Sequence, residues 1–250
     1  MSNELLLEGE RLDEVNDRLR LIQKTNGLTF GTDALLLAAF IKKRGERALE
    51  LGGGSGIISM LLAARGRFSH ILCAEVQEAY AELIRRNVAL NQLDDVIIPL
   101  CADIRDTSLL GRPDSYNAVF TNPPYMTVGD GYACRSDAKN IARHEICGVL
   151  EDFVSVAARM LRYGGSFYAV YRTERMDELL AACRAHGLAP KRLTTVHARL
   201  SLPPSMLLLE ARKGGGAGLR VSRPLILTDG DGSTADSEYF LANGILPEDF

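Results

Sequence analysis

From residue 47 onward, short runs rich in β-branched and apolar residues alternate with segments whose apolar residues recur at helical spacing. That alternation is the pattern of βαβ units, and it confines the chain to an α/β fold on a mostly parallel sheet. Strands are expected near 47–52, 70–76, 96–103, 116–122, 165–171, 191–199 and 205–213, which makes seven. The first crossover helix begins at Gly56-Ile57-Ile58 and stops at Gly66. The second, 77–91, turns Ala79, Tyr80, Leu83, Ile84, Val88 and Leu90 toward the sheet. Helices near 148–162 and 174–186 are each followed by a glycine, Gly164 and Gly187. Leu202-Pro203-Pro204 is too short to carry a parallel crossover, so the last strand is expected to run antiparallel to the sixth. Ahead of the sheet, Asn26-Gly27 reads as the turn of a hairpin over Leu19–Phe30. Thr32 or Asp33 then caps a helix over Ala34–Lys43, whose end carries the cations Lys42-Lys43-Arg44. The expected organisation is a hairpin-and-helix extension over 1–44 and a catalytic domain over 45–213. Gly214-Gly215-Gly216-Ala217-Gly218 follows as a flexible linker into a C-terminal segment ending at 250.

The chain meets an acid, Glu4, within four residues of its start, and nowhere do eighteen uncharged apolar residues run together. A cytoplasmic protein without a membrane span is expected. Five cysteines lie scattered without a Cys-x-x-Cys spacing or paired histidines, which points to neither a disulfide framework nor a metal site. The net charge of −3 gives no global attraction to nucleic acid, so any such partner must meet a local basic surface. Between Arg184 and Arg223 there are eight Lys/Arg against the single acid Glu210, whereas Pro224–Phe250 holds six acids and no base.

The most specific segment is Asn122-Pro123-Pro124-Tyr125, delivered by the apolar run Tyr116-Asn117-Ala118-Val119-Phe120 to a strand end, where α/β enzymes place their chemistry. Two prolines fix φ and remove two N–H donors, so the Asn122 amide and the neighbouring carbonyls form a rigid cluster of acceptors beside an aromatic ring. Such a cluster suits a flat group bearing an NH2. After the first strand comes Glu50-Leu51-Gly52-Gly53-Gly54-Ser55-Gly56, where Gly52, Gly54 and Gly56 alternate and so depart from the Gly-x-Gly-x-x-Gly of nicotinamide enzymes. Glycines there let a ligand approach the backbone closely. Glu75, about 20 residues on at the end of the second strand, is placed to accept both hydroxyls of a ribose. Asp103 closes the third strand, either as a carboxylate for an adenine amino group or as a turn residue.

The glycine loop, Glu75, Asp103 and Asn122-Pro123-Pro124-Tyr125 occur in the order and at the strand ends of Rossmann-like, S-adenosylmethionine-dependent methyltransferases, and the tetrapeptide resembles their amino-methylating branch. More narrowly, Phe30-Gly31-Thr32-Asp33-Ala34-Leu35-Leu36-Leu37, Ala74-Glu75-Val76-Gln77-Glu78 and Asn87-x-x-x-Asn91 resemble the bacterial tRNA1(Val) adenine-N6 methyltransferase family from about residue 17 to 235. The resemblance implies a seven-stranded class I methyltransferase fold with a small N-terminal extension. It also implies S-adenosylmethionine as cofactor, S-adenosylhomocysteine as product, and RNA, specifically tRNA, as substrate. Glu50, Gly52, Gly54, Gly56, Glu75, Asp103 and Asn122 are then cofactor-binding. Thr32 and Asp33 either line the methionine end of the cofactor or only cap a helix. The chain has Val76-Gln77 after Glu75, where many methyltransferases carry a second acid, which leaves Glu75 as the one ribose ligand named.

On this reading Asn122, Pro123, Pro124 and Tyr125 are catalytic. The Asn122 side-chain oxygen and the Pro123 carbonyl accept the two N–H bonds of the amine, and Tyr125 stacks on the flipped base. Arg135, Arg143 and His144 are candidate contacts to the RNA backbone, and Lys191 and Arg192 to phosphate on the basic stretch. Three alternatives remain: N5-methylation of a protein glutamine, which is also a planar amide; DNA adenine methylation; and a non-catalytic RNA-binding adaptor. The short stretch before Glu50 argues against the first, and the absence of length for a target-recognition domain against the second.

Overall fold

Three apolar runs make the middle of the sheet: β3 (Gly45–Leu51), β4 (Phe68–Glu75) and β6 (Tyr116–Thr121), within which Ala48, Leu49, Ile71, Ala74, Ala118, Val119 and Phe120 have no solvent exposure. Strands covered by helices on both faces are apolar where they are buried, as the middles of these strands are. The computed structural model describes residues 6–26, 31–124, 148–230 and 232–250. With β5 (Ile97–Cys101), β7 (Leu161–Arg172), β8 (Leu188–Arg199) and β9 (Met206–Lys213) the sheet runs in the order β8-β9-β7-β6-β3-β4-β5. β4, β5, β6 and β7 follow the direction of β3, whereas β9 lies antiparallel between β7 and β8. The expected seven strands and the reversed last one are both present.

Helices α2 (Ile57–Ala64), α3 (Glu78–Leu90), α4 (Leu150–Met160) and α5 (Met176–Ala185) follow β3, β4, β6 and β7 in the chain. α3 is amphipathic, burying Tyr80, Ala81, Leu83, Ile84, Asn87 and Val88. α2 is apolar nearly all round because it is covered twice, by the sheet and by α1 (Thr32–Phe40). Among the described residues no helix is long and apolar enough to cross a membrane.

The N-terminal hairpin pairs β1 (Glu10–Asn16) with β2 (Leu19–Lys24) around a turn at Asp17-Arg18, whereas the expected turn at Asn26-Gly27 runs into residues 27–30, outside the described ones. Asn16 closes this turn: its side-chain oxygen accepts the N–H groups of Arg18 and Leu19 at 2.9 and 3.1 Å, an Asx turn. α1 is shorter than the expected helix and is capped differently. Its N-cap is Gly31, with no side-chain cap, and it ends at Phe40, before the cations. Lys42 instead donates to the carbonyls of Pro247, Glu248 and Phe250 at 2.9, 3.0 and 2.8 Å.

Beyond Lys213 the chain returns to the sheet. β10 (Arg220–Val221) and β11 (Leu225–Asp229) add in parallel to β8, β12 (Gly232–Ser233) folds back on β11, and α5 is echoed by a last helix, α6 (Ala235–Asn243), capped by the Thr234 hydroxyl. Phe240, Leu246 and Phe250 join the hydrophobic cluster around α1 and α2. The charge imbalance along the sequence resolves here: Arg223 pairs with Asp236 and Asp249, and its guanidinium lies 4.2 Å from the centre of the Phe250 ring.

Candidate active site

The carboxyl ends of β3, β4, β5 and β6 converge on a cavity of about 200 Å³, lined by Glu50, Gly52–Gly54, Glu75, Asp103, Asn122 and Pro124 from these strands and their loops. This is the crevice where open α/β sheets bind ligands. Thr121 joins two of its walls, since its hydroxyl donates to the Leu51 carbonyl at 2.8 Å and ties the end of β6 to that of β3.

The glycine loop is shaped by its surroundings. Gly54 takes φ +55, a left-handed conformation, and turns its N–H onto Glu75 Oε2 at 2.9 Å. A Cβ on Gly53 would stand 2.4 Å from the Cys73 sulfur, so only glycine fits there. Glu75 is 5 % exposed and is held at both oxygens, Oε1 accepting the Gln77 N–H at 2.9 Å. Each carboxylate oxygen keeps a further lone pair. A buried carboxylate so fixed, beside an open glycine turn and the apolar walls of Val76, Ile104 and Phe153, fits a nucleoside: acceptors for ribose hydroxyls and flat apolar surface for a base. Asp103 is gripped by the Arg105 guanidinium at 2.9 and 2.5 Å, which holds its carboxyl below the ordinary range.

Glu50 is 1 % exposed and accepts from the Ser59 N–H at 3.2 Å, the Ser59 hydroxyl and the Cys73 thiol. Burial pushes its carboxyl up to about 7, against the lowering effect of those hydrogen bonds. Unfolded, the group ionises near 4.5, so between 4.5 and about 7 the folded state binds the extra proton. Stability therefore falls as pH rises through that window and levels off above it. Glu50→Gln is expected to remove roughly 3 kcal/mol of this pH dependence. Urea unfolding of both proteins at pH 5 and pH 8 measures it: an equal pH 5-to-8 loss in wild type and variant would refute the assignment.

Of the expected site residues, Glu50, Gly52, Gly54, Glu75, Asp103, Asn122 and Pro124 line this one cavity. Pro123 is buried beside it, and Gly56 stands behind it as the N-cap of α2, at φ +80. Thr32 is exposed in the first turn of α1, and Asp33 next to it bonds Asn122. Tyr125, Arg135, Arg143 and His144 lie outside the described residues. Ala34, Ile58, Ile104 and Phe153 also line the cavity and were not expected. Phe153 carried no local signal, because it reaches the site only through the packing of α4; a Cβ on Gly52 would stand 3.4 Å from its ring.

Lys191 and Arg192 lie apart from this cavity. Both sit toward the amino end of β8, whereas the cavity opens at the carboxyl ends of the strands parallel to it. Lys191 donates to the carbonyls of Gly216 and Ala217 at 2.5 and 3.2 Å. Arg192 is an interior brace: it lies 3.8 Å over the Phe40 ring, donates to the Phe40 and Phe250 carbonyls at 2.9 and 2.6 Å, and pairs with Glu210. Its donors serve the fold and are not turned to phosphate.

The model of the methyltransferase small domain matches residues 25–183, which include the glycine loop, Glu75, Asp103 and the Asn-Pro-Pro-Tyr segment. A tRNA1(Val) (adenine(37)-N6)-methyltransferase of Parabacteroides distasonis is 30% identical over 186 residues, spanning 72% of this chain and 75% of that protein. Its counterpart in Bacteroides thetaiotaomicron is 29% identical over 181 residues, with 71% and 74% covered. Among solved structures, a predicted O-methyltransferase of Agrobacterium tumefaciens superposes with a TM-score of 0.68 at 26% identity, covering 85% of this chain and 96% of that one. Fold, cavity and sequence agree, and the chain belongs to the methyltransferase small domain family.

Proposed function

We propose that the protein is an S-adenosylmethionine-dependent methyltransferase that modifies the exocyclic N6 amine of an adenine in tRNA. The observation that carries this reading is Asn122 on the wall of the same cavity as the glycine loop and Glu75, which brings an amine-holding group and a nucleoside site together. The printed activity of the tRNA1(Val) relatives supports the choice of adenine and tRNA.

Glu75 would hold the ribose, Asp103 the adenine amino group, and Ile104 and Phe153 the faces of the cofactor's base. Bound there, S-adenosylmethionine supplies an electrophilic methyl group together with its own leaving group. The chain's own task is with the acceptor. An amine conjugated to an aromatic ring is a poor nucleophile because its lone pair is delocalised. The Asn122 side-chain oxygen and the Pro123 carbonyl accept its two N–H bonds, favour a tetrahedral nitrogen, and stabilise positive charge as it develops there. Positioning by the rigid proline pair replaces the need for a strong base.

Incubation with labelled S-adenosylmethionine and total tRNA, total protein or DNA tests the proposal. Label is expected in tRNA and, after digestion, in N6-methyladenosine. Label confined to protein or DNA, or absent from all three, would overturn it.

A further inference from the structure

We propose that Asp33 is a positioning residue that orients the Asn122 amide, holding its NH2 so that the amide oxygen is turned away from the carboxylate; the inference rests on the function proposed above. Asp33 stands in the first turn of α1 and Asn122 at the end of β6, 89 residues apart, yet Asn122 Nδ2 donates to Asp33 Oδ2 at 2.8 Å. A carboxylate only accepts, so chemistry decides which end of the amide faces it: the NH2. The reversed amide would set oxygen against oxygen. The amide is planar, and with its nitrogen held by Asp33 its oxygen points away from that carboxylate.

The carboxylate is itself fixed. Its other oxygen, Oδ1, accepts the Ala34 N–H at 2.9 Å. Gly31 makes room for this side-chain position, since a Cβ there would stand 2.7 Å from Asp33 Oδ1. Asp33 does not line the cavity, whereas Asn122 does. On this proposal Asp33 stands behind the acceptor and acts on it through Asn122. Orientation matters because an amide turned the other way presents a donor to an amine that needs an acceptor.

A reciprocal exchange tests this. Asn122→Asp sets two carboxylates face to face, and kcat for tRNA methylation is expected to fall about 100-fold or more. Adding Asp33→Asn restores an N–H···O bond of opposite polarity, with a carboxylate oxygen still facing the amine, and should recover at least about tenfold. Asp33→Ala is expected to lower kcat about 100-fold while S-adenosylmethionine affinity by calorimetry stays within about threefold. A double variant slower than Asn122→Asp, or a large loss of cofactor affinity in Asp33→Ala, would overturn the proposal. The Asn122 side-chain amide signals of the cofactor-free protein, followed by nitrogen-15 NMR with thermal melting as the check on folding, provide a readout independent of activity. They should shift in Asp33→Ala; unchanged signals would overturn the amide contact even if wild type methylates tRNA. Were wild type to leave tRNA unmodified, the functional reading would fall, and the NMR result would still decide the contact.

Discussion

Asn122→Ala is expected to lower kcat for tRNA methylation by about 10²–10³, or roughly 3–4 kcal/mol of transition-state stabilisation. The loss belongs in kcat because the charge that the amide oxygen stabilises exists on the nitrogen only as the new bond forms. In the ground state the amine is nearly planar and weakly held, so the KM for tRNA is expected to change little. The Pro123 carbonyl survives in the variant, which accounts for a residue of activity rather than none. Folding should be almost unaffected, because Asn122 sits half-buried on the wall of an open crevice and its loss leaves no sealed cavity. Steady-state kinetics at saturating cofactor, paired with a thermal melt, checks both statements. Wild-type turnover in a folded variant would remove the mechanism, and an equal loss through KM alone would turn Asn122 into a binding residue.

Much of this site is legible in the sequence because its information is local. Gly52–Gly56 follow one apolar strand, Glu75 ends the next and Asn122 ends another, and the ends of parallel strands must meet. The reversed β9 followed from the length of one loop, Leu202-Pro203-Pro204. What escaped was set by distant partners. Arg192 looked like surface charge beside Lys191, and only the return of Phe250, 58 residues later, and the arrival of Phe40, 152 residues earlier, make it an interior brace. The turn of the β1–β2 hairpin rests on one side chain: the Asx turn at Asn16 sets a register in which Leu19 and Leu21 share one buried face, while Ile22 packs from the opposite face against Tyr80 and Leu83. Phe153 and the Asp33 contact to Asn122 belong with Arg192, since each joins elements whose proximity no local pattern encodes.

The pair Asn87 and Asn91, part of the family resemblance, acts through structure. Asn87→Ala is expected to cost about 3–5 kcal/mol of stability, against about 1 kcal/mol for Asn91→Ala. Asn87 is fully buried on α3 and treats β2 as a neighbouring strand would: its oxygen accepts the Ile22 N–H at 2.7 Å and its NH2 donates to the Ile22 carbonyl at 3.0 Å. The same NH2 reaches the Ser55 carbonyl at 3.1 Å, inside the glycine loop. Truncation strands three main-chain groups where water does not readily replace the amide, and each such group costs about 1–3 kcal/mol. Asn91 makes the matching pair of bonds to Arg20 at 2.9 and 2.7 Å, but near the surface, where solvent takes over when the side chain is removed. Asn87→Asp separates shape from chemistry: it keeps the volume and the acceptor but turns an oxygen toward the carbonyls of Ile22 and Ser55, so it should destabilise at least as much as alanine. Urea denaturation measures all three variants. Because Ser55 belongs to the loop that would hold the cofactor, S-adenosylmethionine affinity should weaken in Asn87→Ala and stay near wild type in Asn91→Ala, and equal affinities in the two would show that the hairpin and the loop are not joined through this amide.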